Sequence, residues 1–239
     1  MADVLLNGIR HHVQRLGETS GSPVVFLHGL VMDNLSSWYF TVATQVAKSH
    51  RAVLYDLRGH GRSERATTGY GLEALSDDLL ALIDHEELAG VTLVGHSFGG
   101  TLALATALRS ERVERLVLVD PLVPEPGWGE RMAGTLTLGE HERNAVIADR
   151  FQDWLGRHSS RKRTRLERHA RFLVEETSLL ADLRTSRSWP LEAFADLTIP
   201  VRMLNGASSD VRPQCERLEA HLPDVQTRWI EGTHSILWE

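Results

Sequence analysis

Val91-Thr92-Leu93-Val94-Gly95-His96-Ser97-Phe98-Gly99-Gly100-Thr101-Leu102-Ala103-Leu104-Ala105 reads as a strand, a tight turn and a helix in immediate succession. Glycines two before and two after Ser97 remove the β-carbons that would collide where a strand doubles back into a helix. Ser97 is thereby presented at the tip of the turn. The same geometry turns the N-terminus of the following helix toward Ser97, so the Phe98 N–H can donate to a developing oxyanion. A strand that feeds straight into a helix is also the unit of an α/β fold, so these residues bear on architecture and chemistry together.

Short apolar, β-branched runs recur on both sides: Val24 to Leu27, Ala52 to Tyr55, Leu116 to Val119, Val201 to Leu204 and Val225 to Ile230. Continuous runs of this kind fit strands of a parallel sheet covered on both faces. Segments of helical period separate them, at Trp38 to Lys48, Leu72 to Leu88, Phe98 to Arg109 and Val211 to Leu222. The alternation predicts a doubly wound, mostly parallel α/β sheet. Asn7-Gly8, between Val4-Leu5-Leu6 and Ile9, is a two-residue hairpin signal that needs positive φ, so an antiparallel N-terminal hairpin should open the fold.

From Leu122 to about Ala195 the strand signal vanishes, and the segment is polar and helical, most clearly at Arg143 to Leu155 and Arg161 to Leu183. We read 122–195 as a helical cap inserted into a core domain made of 1–121 and 196–239. Seven cations between Arg157 and Arg171 read as a solvated helix face. Overall, 26 basic against 32 acidic residues give a net charge of −6, which speaks against a nucleic-acid binder. Cys215 is the single cysteine, so neither an intrachain disulfide nor a Cys-rich metal site is expected. The first residues lack the basic start and apolar core of a secretion signal, and no run of roughly 18 apolar residues could span a membrane. A cytoplasmic protein without a membrane partner, acting on a small molecule as monomer or homodimer, is the expectation.

A serine hydroxyl needs an adjacent base, and the base needs an orienting carboxylate. Of twelve histidines, His234 is expected as the base, because Gly232-Thr233-His234 follows the last strand, where a loop can return the imidazole to Ser97. Asp210, in the loop after Val201 to Leu204, is expected as the acid; Asp120, ending the strand Leu116 to Val119, is the alternative. Leu30, in His28-Gly29-Leu30 after the strand Val24 to Leu27, should supply the second oxyanion-hole N–H. His28 is read as a loop support, and His11, His12 and His169 among others as solvated. No cofactor or metal is implied. Val31, Met32, Trp38, Trp128, Trp154 and Trp189 are expected near the pocket walls.

With Phe26-Leu27-His28-Gly29, Asp56-Leu57-Arg58-Gly59-His60-Gly61-Arg62-Ser63, Gly95-His96-Ser97-Phe98-Gly99-Gly100 and Gly232-Thr233-His234, nearly the whole chain resembles the α/β-hydrolase fold superfamily. The resemblance implies an esterase-like serine hydrolase acting on a small to medium carboxylic ester, lactone or thioester, with cap residues choosing the substrate. It also keeps open a carbon–carbon bond hydrolase and a slow-turnover ligand receptor. The Asp56 to Ser63 loop it implies is structural. Where relatives place their acid, Ser209 stands here and Asp210 follows. Relatives continue into a C-terminal helix beyond the point where this sequence stops, so an apolar sheet face open to dimerisation is expected.

Overall fold

The computed structural model describes residues 2–137 and 160–238. An eight-stranded sheet runs in the order β1-β2-β4-β3-β5-β6-β7-β8, where β1 is Ala2–Leu6, β2 Ile9–Leu16, β3 Ser22–Leu27, β4 His50–Tyr55, β5 Val91–His96, β6 Val113–Val119, β7 Val201–Gly206 and β8 Val225–Ile230. The first two pairings, β1 with β2 and β2 with β4, are antiparallel, and all others are parallel. The hairpin turn sits where Asn7 and Gly8 take φ of 49° and 80°, the positive values its connection requires.

The strands β3, β4, β5 and β6 divide their side chains between two apolar layers, as period-two geometry dictates. Val25 and Leu27 enter a large core with helices α1 (Leu72–His85) and α2 (Phe98–Ala107), while Val24 and Phe26 face a smaller one with Trp38 and Ala43. Helix α2 is apolar all round and buried on every side, which suits an element lodged behind the sheet's central strands. The segment expected as a helix from Trp38 is instead helical turns at Ser36–Trp38, Tyr39–Ala43 and Thr44–Val46, the middle one a π turn. Trp38 and Ala43 are both buried, and a spacing of five shares a face in a π turn rather than an α turn. This side of the sheet keeps an open cleft of about 650 Å³ lined by Val24, Phe26, Val94, Val117, Val119 and Leu204, among others.

Between β6 and β7 lie α3 (Trp128–Leu136), α4 (Ser160–Glu175), α5 (Leu179–Thr185) and a 3-10 turn at Leu191–Asp196. The expected stretch Arg161 to Leu183 is thus two helices. The break has a local cause: Thr177 Oγ1 accepts the Leu179 N–H at 3.1 Å, and the Ser178 N–H leaves for the Thr67 carbonyl at 2.8 Å. These helices are tied to the core by Asp182, whose carboxylate accepts the Tyr70 N–H at 2.7 Å, and by Ser186, which accepts the Leu72 N–H at 3.1 Å. Arg165, Arg168 and Arg171 of α4 are exposed, while Leu166 and Leu173 point inward. The expected helix at Arg143 to Leu155 lies outside the described residues. Helix α6 (Arg212–Glu219) follows β7 and buries Cys215, whose thiol donates to the Pro121 carbonyl at 3.5 Å.

His11 and His12 are not solvated, contrary to the expectation. Both are buried in β2, where the His11 Nε2 lies 3.4 Å from Asp78 Oδ2. Asp78 of α1 also accepts two bonds of 2.8 Å from the Arg58 guanidinium and one of 3.0 Å from Asn7. The hairpin, the 56–63 loop and α1 therefore meet on one buried carboxylate. Burial alone would raise its pKa, but the nearby His11 ring, the hydrogen bond from Asn7 and the Arg58 charge hold it below the ordinary value.

Candidate active site

The turn between β5 and α2 holds Ser97 at φ 53° and ψ −120°, far from the regions open to an ordinary residue. Main-chain bonds enforce it: the Ser97 N–H donates to the Val119 carbonyl at 3.0 Å, and the Ser97 carbonyl accepts from Gly100 at 2.9 Å. The flanking glycines are obligatory on space alone. A Cβ at Gly95 would stand 2.3 Å from the Gly99 carbonyl oxygen, and one at Gly99 would stand 2.2 Å from that of Leu27.

His234, in the loop after β8, places Nε2 2.8 Å from Ser97 Oγ. Its Nδ1 lies 2.5 Å from Asp120 Oδ2, so with the proton on Nδ1 the ring donates to the carboxylate and accepts from the hydroxyl. Residues 97, 120 and 234 are thus one hydrogen-bonded chain drawn from the segments that follow β5, β6 and β8, with β7 lying between the last two strands.

The carboxylate at His234 is Asp120 and not the expected Asp210. Asp210 is exposed at the start of the turn that leads into α6, and Ser209 before it points inward instead. Ser209 Oγ donates to Asp120 Oδ2 at 2.5 Å, and the Gly206 N–H donates to Oδ1 at 3.0 Å. Asp120 is fully buried and adopts φ 45°, a left-handed conformation that Asp tolerates better than most residues.

His96, the residue before the serine, is buried against His234, with ring centroids 5.2 Å apart. Its Nε2–H donates to the His234 carbonyl at 3.0 Å. Burial, with His234 beside it, pushes the His96 imidazole down to about 4, so it is a neutral donor near pH 7. A small recess opens next to Ser97, lined by Gly29, Leu30, Met32, Asp33, His96 and Trp238. Asp33 shapes its floor by accepting the Gly29 N–H at 2.8 Å.

The structure gathers only some of the residues expected at the pocket. Leu30 and Met32 line the recess, and Val31 is buried between them in sequence. Trp38 does not reach it: its Nε1 donates to the Leu27 carbonyl at 3.0 Å, and its ring packs on Phe26 on the other face of the sheet. Trp128 and Trp189 are buried core residues, Trp128 lying 6.3 Å from the Phe98 ring. Trp154 lies outside the described residues. Trp238, His96 and Asp33 also line the recess, although the sequence gives no expectation of them there. His28 supports the loop as expected, its Nε2 accepting the Leu57 N–H at 3.0 Å and its Nδ1–H donating to the Gly29 carbonyl at 2.6 Å. Asp56 is likewise structural, its carboxylate accepting the Leu35 and Arg62 N–H groups at 2.8 Å each. Among the described residues no cluster of His, Cys, Asp or Glu could hold a metal ion, and no helix is long and apolar enough to cross a membrane.

Comparison with known proteins places the chain in a fold family. Residues 22–231 match the family described as alpha/beta hydrolase fold. Esterase YbfF of Escherichia coli is 35% identical over 104 residues, 42% of this chain and 39% of that protein. The 2-hydroxymuconate semialdehyde hydrolase of Pseudomonas sp. strain CF600 is 36% identical over 121 residues, 49% of this chain and 42% of that protein. The matched stretch thus spans less than half the length of either relative. The crystal structure of the enol-lactonase from Burkholderia xenovorans LB400 superposes with a TM-score of 0.75, covering 98% of this chain and 92% of that one at 23% identity.

Proposed function

Since the chain belongs to the alpha/beta hydrolase fold family, we propose that it is a serine hydrolase that cleaves a small to medium carboxylic ester, lactone or thioester through Ser97, His234 and Asp120. The observation that carries this reading is the hydrogen-bonded run from Ser97 Oγ through His234 to a buried carboxylate. In the first step His234 Nε2 takes the Ser97 proton as Oγ attacks the carbonyl carbon, and the backbone N–H groups of Leu30 and Phe98 receive the oxyanion. The protonated His234 then gives that proton to the leaving group, leaving an acyl-Ser97 ester. Water, deprotonated by His234, resolves it. Asp120 accepts from Nδ1–H throughout, keeping the tautomer and offsetting the imidazolium charge without being protonated itself.

The helices of 122–195 act in this reading as a cap whose side chains select the acyl or alcohol group. Hydrolysis of a carbon–carbon bond is the second reading, favoured by the similarity to the 2-hydroxymuconate semialdehyde hydrolase. Both reactions use the same serine.

The test is labelling with a fluorophosphonate together with turnover of p-nitrophenyl butyrate. A hydrolase forms an adduct on Ser97 alone, and Ser97→Ala lowers kcat by about 10⁴-fold or more while unfolding at the same temperature as the parent. An unchanged rate in that variant, or an adduct elsewhere, overturns the reading. Ligand capture without turnover in the parent would instead identify a receptor. A panel of esters, lactones, thioesters and dienoic ketones separates the first two reactions.

A further inference from the structure

The proposed oxyanion donor Leu30 stands in a strained turn. Val31 adopts φ 71°, rare for a β-branched residue, and the Met32 N–H returns to the Leu30 carbonyl at 3.0 Å, closing a three-residue turn of the unfavourable hand. Such a conformation persists only when its surroundings over-determine it. One constraint comes from within the loop, the bond from Gly29 N–H to Asp33. Another comes from outside it. The Val31 N–H donates to His60 Nε2 at 2.9 Å, in the 56–63 loop.

His60 is suited to accept. It is about 1% exposed, and its Nδ1–H donates to the Arg58 carbonyl at 2.8 Å, so Nε2 carries the lone pair. Its ring is flanked by His28 at 5.2 Å and by His169 of α4 at 5.8 Å, leaving it no freedom to turn away. Burial and the neighbouring histidines also hold the imidazole neutral, its pKa well below the ordinary value. A protonated ring would point a second N–H at the Val31 N–H and break the bond.

We propose that His60 is a positioning residue for the oxyanion hole: as acceptor of the Val31 N–H, it holds the Leu30-Val31-Met32 turn in the form that aims the Leu30 N–H at the reacting carbonyl. The inference rests on the hydrolase reading above. It assigns the His60 position of the Asp56 to Ser63 loop a kinetic effect, transmitted through one main-chain bond.

Three variants test it, each measured for kcat, KM, fluorophosphonate labelling rate at Ser97 and thermal unfolding. His60→Phe keeps a flat ring without an acceptor. His60→Asn carries its amide near the Nδ1 position, too short to reach Val31. His60→Gln can place an oxygen where Nε2 stood. We expect Phe and Asn to lower kcat and the labelling rate by about 10²-fold, the scale of a lost oxyanion donor, with KM within about twofold. Gln should recover most of that loss. Equal rates in Phe, Asn and the parent overturn the proposal, and so does a Gln variant as slow as the other two, since ring packing alone would then be responsible. Should Phe fail to fold, Asn and Gln carry the same comparison. In the ¹⁵N-labelled parent, a scalar coupling between the Val31 amide nitrogen and His60 Nε2 is expected, and its absence also overturns the proposal. Failure of the hydrolase reading looks different: the parent itself then gives neither turnover nor a Ser97 adduct while the coupling remains, and the kinetic role falls with it.

Discussion

Asp120 meets His234, Ser209 and the Gly206 N–H at once, with no exposed surface, so its carboxylate is fixed in direction as well as charge. Replacing it with Asn keeps the shape but offers the imidazole an amide that cannot stabilise the wanted tautomer. Asp120→Asn should lower kcat by about 10⁴-fold, whereas Asp210→Asn, changed at an exposed position, should stay within about twofold of the parent. Steady-state kinetics on the pair decides it, and a crippled Asp210→Asn would restore the original expectation. This exchange also marks what the sequence could convey about the site. Ser97 is legible because the turn's mechanics demand its glycines nearby in the chain. The acid is not, since a carboxylate at a strand end looks the same whether it faces a histidine 114 positions away or the solvent. Ser209, a hydroxyl where the resemblance leads one to expect an acid, is a hydrogen-bond donor to the Asp120 carboxylate. Trp238 and Asp33 gave no signal, as each reaches the recess only through tertiary packing.

Among elements, the junction of β5 and α2 tolerates least change. The Cβ introduced by Gly99→Ala would press on the Leu27 and His28 carbonyls, both backbone and unable to step aside. We expect a loss of about 3 kcal/mol or more, read as a lower urea midpoint at unchanged slope. A midpoint within experimental error of the parent would show that the junction can relax. The strands were the most legible elements, because apolar runs such as Val24 to Leu27 and Ala52 to Tyr55 are buried along their whole length and need no partner information. Helix interiors were harder. The break at Thr177-Ser178 arises from a hydroxyl bond and from a carbonyl of Thr67 contributed by another part of the chain, which local periodicity does not encode. The burial of His11 and His12 has the same origin, since Asp78 and the 56–63 loop come to them from elsewhere.

For the molecule as a whole, buried neutral histidines make stability depend on pH. His96 titrates near 4 when folded but near 6.5 in an unfolded chain, so the unfolded state binds more protons between those values. Stability should therefore be complete above about pH 6.5 and fall as the pH drops toward 4, with His60 adding to the slope in the same direction. One histidine shifted this far costs on the order of 3 kcal/mol at the bottom of that window. Asp78, held below its ordinary pKa, acts lower still, its contribution disappearing as the pH falls below about 4. Urea unfolding at pH 7, 5 and 4 checks this, and His96→Gln should flatten the slope between 7 and 4. A pH-independent midpoint across that range would contradict it.

The single thiol, Cys215, sits beneath the segment that carries Asp120, its proton directed at the Pro121 carbonyl, and burial raises its pKa far above the normal range. An aromatic disulfide added to the folded protein finds no thiolate to attack it until α6 lifts from the strand ends. The rate of colour release then reports how often this wall of the molecule opens, from a probe the chain carries unmodified.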